Sequence, residues 1–433
     1  MKRSAYKDLL AWKASPERKP LLLQGARQVG KTWLMREFGK NEYRNVVYVN
    51  FDETRAASAY FDGDISPRHI ISSLEAHSDS RISAADTLII FDEVQESERA
   101  LNSLKYFNEN APEYHIIAAG SFLGVATHGG FPVGKVDRIA LYPMSFCEFL
   151  QGTGNGRYLE PLEKKDFALI RIMAKDYEKL LKTYFLAGGM PKAVAAYSAR
   201  GDMREVRAIQ KAILEDYKDD FSKHITAANV PKVEIIWNSI PVHLAKEKKK
   251  FVYKEIKTGA RAYAYEDAMN WLFATRLVYK VPRLTGCSLP LASYADAHEA
   301  FKLYMLDVGL FAAKAELELT ALYEGGNAVF GNFNGALTEQ FVLQELKAAG
   351  FTPYYWGRDK GAAEVDFVVQ WRNEVVPVEV KAGIRTKSKS LDVYRKLYSP
   401  AHAVCTALSN YGKNEGLYSV PLYMIGSMGE LLE

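Results

Sequence analysis

The stretch LLLQGARQVGKTWLMREF, residues 21–38, constrains this chain more tightly than any other. It runs from an apolar β-type segment through a glycine-bounded loop into a helical one, and GARQVGKT matches the spacing GxxxxGK[ST]. Gly25 and Gly30 let the backbone curl, so that the amides of Ala26, Arg27, Gln28 and Val29 can turn inward. A helix beginning near Lys31 adds partial positive charge at the same place. Such a loop holds phosphate oxygens. Lys31 is expected to reach the β- and γ-phosphates of ATP, and the Thr32 hydroxyl to ligate Mg2+. A chance glycine loop would match the letters, but not the strand before it and the helix behind it.

The surroundings agree. LLLQG (21–25), NVVYVNFD (45–52), TLIIFDE (87–93) and HIIAAGS (115–121) are short apolar runs, each closed by a turn signal, and RIALYP (138–143) is a candidate fifth. Runs of this kind separated by helical segments predict an α/β domain with a parallel sheet, the P-loop NTPase arrangement. LIIFDE sets Asp92 and Glu93 at a strand end, where Asp92 would hold the magnesium and Glu93 would polarise the attacking water. Ser121, ending the next strand, is the candidate for positioning that water; an ordinary strand-ending serine turn is the alternative. Transition-state charge also calls for a cation, supplied by the chain itself or by a neighbouring subunit. Arg138 and Lys135 are candidates, unless both simply face solvent.

These segments resemble a family: the AAA-type ATPases of bacteria and archaea that carry a C-terminal domain of unknown function. The resemblance lies in LQGARQVGKT, IIFDEVQ, AAGSFLG, PVGKVDRIALYPMSFCEFL, YFLAGGMPKAV and ILEDYKDDFSKH, in that order over most of residues 18–225, and it continues into the C-terminal hairpin. It implies ATP binding and hydrolysis, carried onto Lys31, Thr32, Asp92 and Glu93, and it implies no particular substrate. Many members have Gly-Arg where this chain has Gly134-Lys135, which leaves the finger unassigned.

Beyond the first 143 residues the pattern changes. Residues 144–225 have helical spacing, broken by GTGNG and Gly-Gly-Met-Pro, and read as a helical lid on the first domain. Residues 226–323 hold short helices and an extended pair, RLVYKVPRL and AFKLYMLD, an order that suggests a winged-helix-like unit. Within it, the basic 246–261 segment, including Lys248, Lys249, Lys250, Lys254, Lys257 and Arg261, could lie on DNA as a helix with its lysines on phosphates. A solvated helix face is the alternative.

The glycine- and asparagine-rich stretch 324–335 reads as a joint before a last unit, 324–433, whose helix and strands fall in the order α-β-β-β-α-β. That order is the core of the restriction-endonuclease-like fold, and Asp366 with Glu379-Val380-Lys381 resembles the PD-(D/E)xK nucleases, with Val365 in place of the usual proline. Glu379 and Lys381 share one strand face because side chains alternate with period two. Asp366, Glu379 and Glu339 on the preceding helix would make a second Mg2+ site, and Lys381 would orient a water. Charges on an exposed strand face are the alternative.

Composition excludes more than it assigns. The net charge of +4, from 56 basic and 52 acidic residues, does not mark a nucleic-acid binder, so any such surface is local. Three scattered cysteines without a CxxC pair argue against a disulfide framework or a zinc site. With no signal peptide and no apolar run long enough to span a membrane, a cytoplasmic protein is expected. Two functions remain open: an ATPase driving a nuclease-like domain on DNA, or an ATP-dependent switch for a protein partner with an inactive nuclease-like module. A finger supplied in trans would require a homo-oligomer.

Overall fold

The computed structural model describes residues 2–53, 55–121, 132–246, 249–256, 261–318, 327–358, 363–384 and 387–433. Its contacts divide it into two units, Met1–Tyr142 with Ala274–Arg276, and Pro143–Phe273 with Leu277–Glu433.

In the first unit the apolar runs form a parallel sheet of β1 (Leu21–Gln24), β2 (Asn45–Asn50), β3 (Thr87–Asp92), β4 (His115–Gly120) and β5 (Asp137–Ala140), ordered β2-β3-β4-β1-β5. Every residue of β3 and β4 is buried, the signature of strands covered on both faces. Val47, Phe51, Phe91 and Ile116 join Leu74 and Leu104 of the flanking helices in one core. Parallel strands all end on one edge. Gln24 lies opposite Gly120 and Ala140, and Asp92 opposite Asn50, so the loops after β1, β3 and β4 emerge together. Helix α1 (Ala5–Ala14) precedes the sheet and helix α2 (Lys31–Glu42) follows β1.

The second unit corrects three expectations. Residues 144–225, read as a lid on the first domain, share the second unit's core with a helix from much later in the chain, Val308–Lys314. Asp307, its N-cap, accepts the amides of Gly189 (2.6 Å) and Leu310 (2.9 Å). A Cβ on Gly189 would run into the Met144 carbonyl, so the Gly-Gly-Met-Pro break is a close crossing of two backbones. Helical spacing reveals an apolar face, not what will cover it.

The extended pair of the middle segment forms, as β6 (Val278–Leu284) and β7 (Ala295–Met305), but not as the wing of a separate module. With β8 (Tyr354–Gly357), β9 (Glu364–Trp371), β10 (Glu374–Val380), β11 (Ala403–Ala407), β12 (Gly412–Asn414) and β13 (Leu417–Pro421) it makes one eight-stranded sheet. β6 joins by parallel pairing to β8, Arg283 opposite Tyr355 and Leu284 opposite Trp356. Its free edge is satisfied by a strand about 70 residues on, which local pattern does not disclose.

Thirdly, the basic segment is not one helix. Only Tyr253–Ile256 is helical among its described residues; Lys248 and Lys257 lie outside them.

The expected joint begins outside the described residues, yet from Asn327 onward it is already helix, running to Ala348 rather than starting at Gly335. That helix, β8, β9, β10, the helix Lys389–Tyr398 and β11 follow the expected α-β-β-β-α-β order. All three cysteines are free, and no described helix is long and apolar enough to cross a membrane.

Candidate nucleotide site

The loop between β1 and α2 is tightly specified. A Cβ on Gly25 would collide with the Leu141 carbonyl, and Gly30, the N-cap of α2, has φ 94°, where glycine alone is unstrained. Gln28 also adopts positive φ, at 67°. From the first turn of α2 the Lys31 side chain folds back over the loop. Its Nζ donates to the carbonyls of Gly25 (3.0 Å) and Ala26 (2.8 Å) and to Ser121 Oγ (2.9 Å). The residue is 5% exposed. Burial pulls its amine down to about 8, against the upward pull of Glu93 and Asp92.

Across the edge, Thr32 Oγ1 donates to Asp92 Oδ2 at 2.6 Å. The same oxygen takes the Tyr48 hydroxyl at 2.9 Å, while Asp92 Oδ1 takes the amide of Glu93 at 3.1 Å. Glu93 stands in the left-handed region, φ 50°, and Gln95 Nε2 holds its Oε2 at 2.7 Å. Lys31, Thr32, Asp92, Glu93 and Ser121, the residues expected around the phosphates, thus stand together at this edge. The hydroxyl and carboxylate that would ligate magnesium already touch, and a divalent cation fits that donor pair chemically.

The expected cations are elsewhere. Lys135 pairs with Glu109 at 3.0 Å, and Arg138 lies on β5 level with Leu22, two residues before the end of β1. Sequence reading also missed several residues. Arg3, buried, donates from Nη1 to the Val29 carbonyl (2.9 Å) and from Nη2 to the Tyr142 carbonyl (2.6 Å), clamping the loop from outside. Tyr48 and Gln95 orient the two acidic residues. Only Gln95, two residues after Glu93, lay near enough in sequence to suggest itself.

The second unit brings together the other predicted group. Glu339, Asp366 and Glu379 come from the helix Asn327–Ala348, β9 and β10. Lys381 binds Glu379 at 2.7 Å, Ser388 Oγ donates to the same Oε1 at 2.7 Å, and Glu379 Oε2 is buried without a hydrogen-bond partner. Two lysines that the sequence did not point to are also there. Lys249 pairs with Glu339, and the fully buried Lys302 lies 2.6 Å from Glu364 and 3.9 Å from Glu339. Tyr304 donates to Glu339 at 3.2 Å.

Burial, then Glu339 and Glu379, push Asp366 well above the carboxylate range. Burial acts the same way on Glu339, but Lys249 and Lys302 outweigh it and hold Glu339 low. Among the described residues no three His, Cys, Asp or Glu side chains form a metal-holding group. Lys249, Lys302 and Lys381 stand among the carboxylates expected to hold a second Mg2+. Lys249, counted among the lysines for DNA, is engaged with Glu339, and Lys246 with Glu255 at 2.6 Å.

Residues 17–150 match the family described as an AAA domain, residues 178–321 a domain of unknown function (DUF8612), and residues 334–425 another (DUF4143). No curated protein matches the chain. Among solved structures it is similar to the Walker-type ATPase PABY2304 of Pyrococcus abyssi, at 15% identity over 72% of this chain and 95% of that one, TM-score 0.46. It is similar also to a single-substitution form of Thermotoga maritima RuvB (11%, 65% and 90%, TM-score 0.32) and to a chain of Drosophila ORC bound to DNA (13%, 69% and 90%, TM-score 0.25). With TM-scores this low the three likenesses carry no weight of their own. The AAA-domain match and the loop geometry make residues 17–150 a P-loop domain of the AAA type.

Proposed function

We propose that the chain is a Mg2+-dependent ATP hydrolase that acts as a switch for a partner protein. The observation that carries the first half is the state of Lys31: a buried ammonium whose hydrogen-bond partners are all neutral oxygens. Such an ammonium has no anion hydrogen-bonded to it and suits an anion with several oxygens, as a triphosphate is. Lys31 would turn from the loop carbonyls to the β- and γ-phosphates. Thr32 and Asp92 would hold magnesium, which neutralises phosphate charge. Glu93, steadied by Gln95, would orient the water for in-line attack, and Ser121 would hold it or the γ-phosphate from the next strand.

Nucleotide titration and turnover test this. Lys31→Ala is expected to weaken ATP roughly 100-fold or more, the loss of two charge-assisted hydrogen bonds. Glu93→Gln should bind ATP and hydrolyse it slowly. Unchanged turnover in Lys31→Ala would refute the loop's role.

The second half concerns residues 324–433. Convergence of Glu339, Asp366, Glu379 and Lys381 supports a nuclease-like ancestry. The ion pairs of Lys249 and Lys302 with Glu339 favour a partner-binding module over a cutting one, since the carboxylate a metal would need is already neutralised. Supercoiled and single-stranded DNA incubated with the full chain and Mg2+ or Mn2+ should stay intact while ATP is consumed. Cleavage that disappears in Asp366→Ala or Lys381→Ala would reverse the choice and make the chain an ATP-coupled nuclease acting on DNA.

A further inference from the structure

Both oxygens of the Asp92 carboxylate are held by the protein itself. Oδ2 accepts two hydroxyls, Thr32 Oγ1 at 2.6 Å and that of Tyr48 at 2.9 Å, and Oδ1 accepts the amide of Glu93 at 3.1 Å. A carboxylate oxygen has about two acceptor positions, so Oδ2 is full and Oδ1 half full. Asp92 is 1% exposed, so these three donors rather than solvent set its orientation.

The donors differ in kind. Thr32 is the hydroxyl expected to turn to a divalent cation, and the Glu93 amide is fixed because it follows Asp92 in the chain. Tyr48 is neither. It comes from β2, 44 positions away, where Asn50 rather than Tyr48 lies opposite Asp92. That offset of two residues, roughly 7 Å along a strand, is one that a phenol spans and a short hydroxyl side chain does not. The Arg36 guanidinium lies over the Tyr48 ring, 3.9 Å from its centroid, and pins it there.

With Oδ2 tied to β2 and Oδ1 tied to the next residue, the carboxylate cannot turn both oxygens to one cation without breaking a tie. When the Thr32 hydroxyl leaves Oδ2 it releases a single position, beside Thr32 itself. Magnesium demands near-octahedral geometry, keeps several waters and is satisfied by one carboxylate oxygen. Calcium takes roughly six to eight oxygens and commonly uses both oxygens of a carboxylate. Thr32 offers either ion the same single oxygen, so the choice falls on Asp92.

Building on the ATP reading above, we propose that Tyr48 sets the cation preference of this site: by keeping hold of Asp92 Oδ2 it limits the carboxylate to one oxygen and so favours Mg2+ over Ca2+. Tyr48 acts through Asp92 and is a positioning residue, not a catalytic one.

The test is nucleotide affinity with each cation. Titrate wild type and Tyr48→Phe with a non-hydrolysable ATP analogue in saturating Mg2+, in saturating Ca2+ and in EDTA. Wild type should bind at least about 10-fold more tightly with Mg2+ than with Ca2+. Tyr48→Phe should lower that ratio on the order of 10-fold, the size of one charge-assisted hydrogen bond, and leave affinity in EDTA within about 2-fold. A ratio that does not move, whether both affinities hold or both fall together, would reduce Tyr48 to a structural tie and overturn the proposal. An equal loss in EDTA would overturn it too. If Tyr48→Phe fails to fold, the wild-type ratio still decides, since equal affinity with the two cations overturns the proposal. A wild-type chain that binds the analogue under none of the three conditions sinks the ATP reading itself, and is told apart by that result alone.

Discussion

Two buried lysines of this chain behave in opposite ways. Lys31 is 5% exposed and Lys302 fully buried. Burial depresses any ammonium, and at Lys31 it prevails, bringing the amine down to about 8 because its contacts are carbonyls and a hydroxyl. At Lys302 the same pull is overcome by Tyr304 and the carboxylates of Glu364, Glu339 and Asp366, and the amine stays protonated well above the usual lysine range. Counter-charge, not depth, separates a site from a structural network. The first lysine hydrogen-bonds no anion, and a ligand can bring one; the second has its anions built in.

Paired substitutions test the contrast most severely. Lys302→Met strands buried carboxylates and should cost the second unit about 3–5 kcal/mol. Lys31→Met should go the other way. A cation whose folded value is depressed below its unfolded one is penalised below that folded value, so its removal at pH 7 should stabilise the first unit by at most roughly 3 kcal/mol. Denaturant unfolding of both variants without nucleotide measures this; the same sign in both would break the comparison.

Next in size is linkage to ligand. ATP at about 100 times its Kd should stabilise the wild type by about 2.7 kcal/mol, and Lys31→Met not at all. A variant still stabilised by ATP would mean that Lys31 does not face the phosphates.

A smaller effect is expected from pH. Phosphates raise the Lys31 amine on binding, so ATP binding near pH 8 should take up a fraction of a proton, and affinity should fall as pH rises past about 8. Calorimetry in two buffers of different ionisation enthalpy detects the uptake; proton release would reverse the assigned sign.

The smallest effect concerns the other cluster. Lys249→Ala should let Mn2+ raise the variant's unfolding temperature slightly more than the wild type's, by the equivalent of roughly 1 kcal/mol or less. An equal rise in both would show that the wild-type carboxylates accept a metal despite their lysines.

The parts of the site that were legible are those whose geometry is local. A strand, a glycine loop and a helix set Lys31 and Thr32 by themselves, and parallel strands force Asp92 and Ser121 onto the edge where that loop emerges. Glu93 and Gln95 were within reach of the same motif. Arg3 and Tyr48 were not, since their partners stand 26 and 44 positions away and hydrogen-bond donors carry no mark of their acceptors. In the second unit the order of helices and strands was readable, but the neighbours were not.

By itself, then, the sequence determined a phosphate-binding loop, the acidic residues facing it, and four potentially reactive side chains on a helix and hairpin near the C-terminus. Tertiary structure decided that β6 and β7 extend the C-terminal sheet, and that Lys249 and Lys302 neutralise Glu339. It also decided that Tyr48 meets Asp92. The physical reason is one of range. Backbone curvature and strand polarity follow from consecutive residues, whereas electrostatic balance is set by every charge that folding brings within a few ångströms.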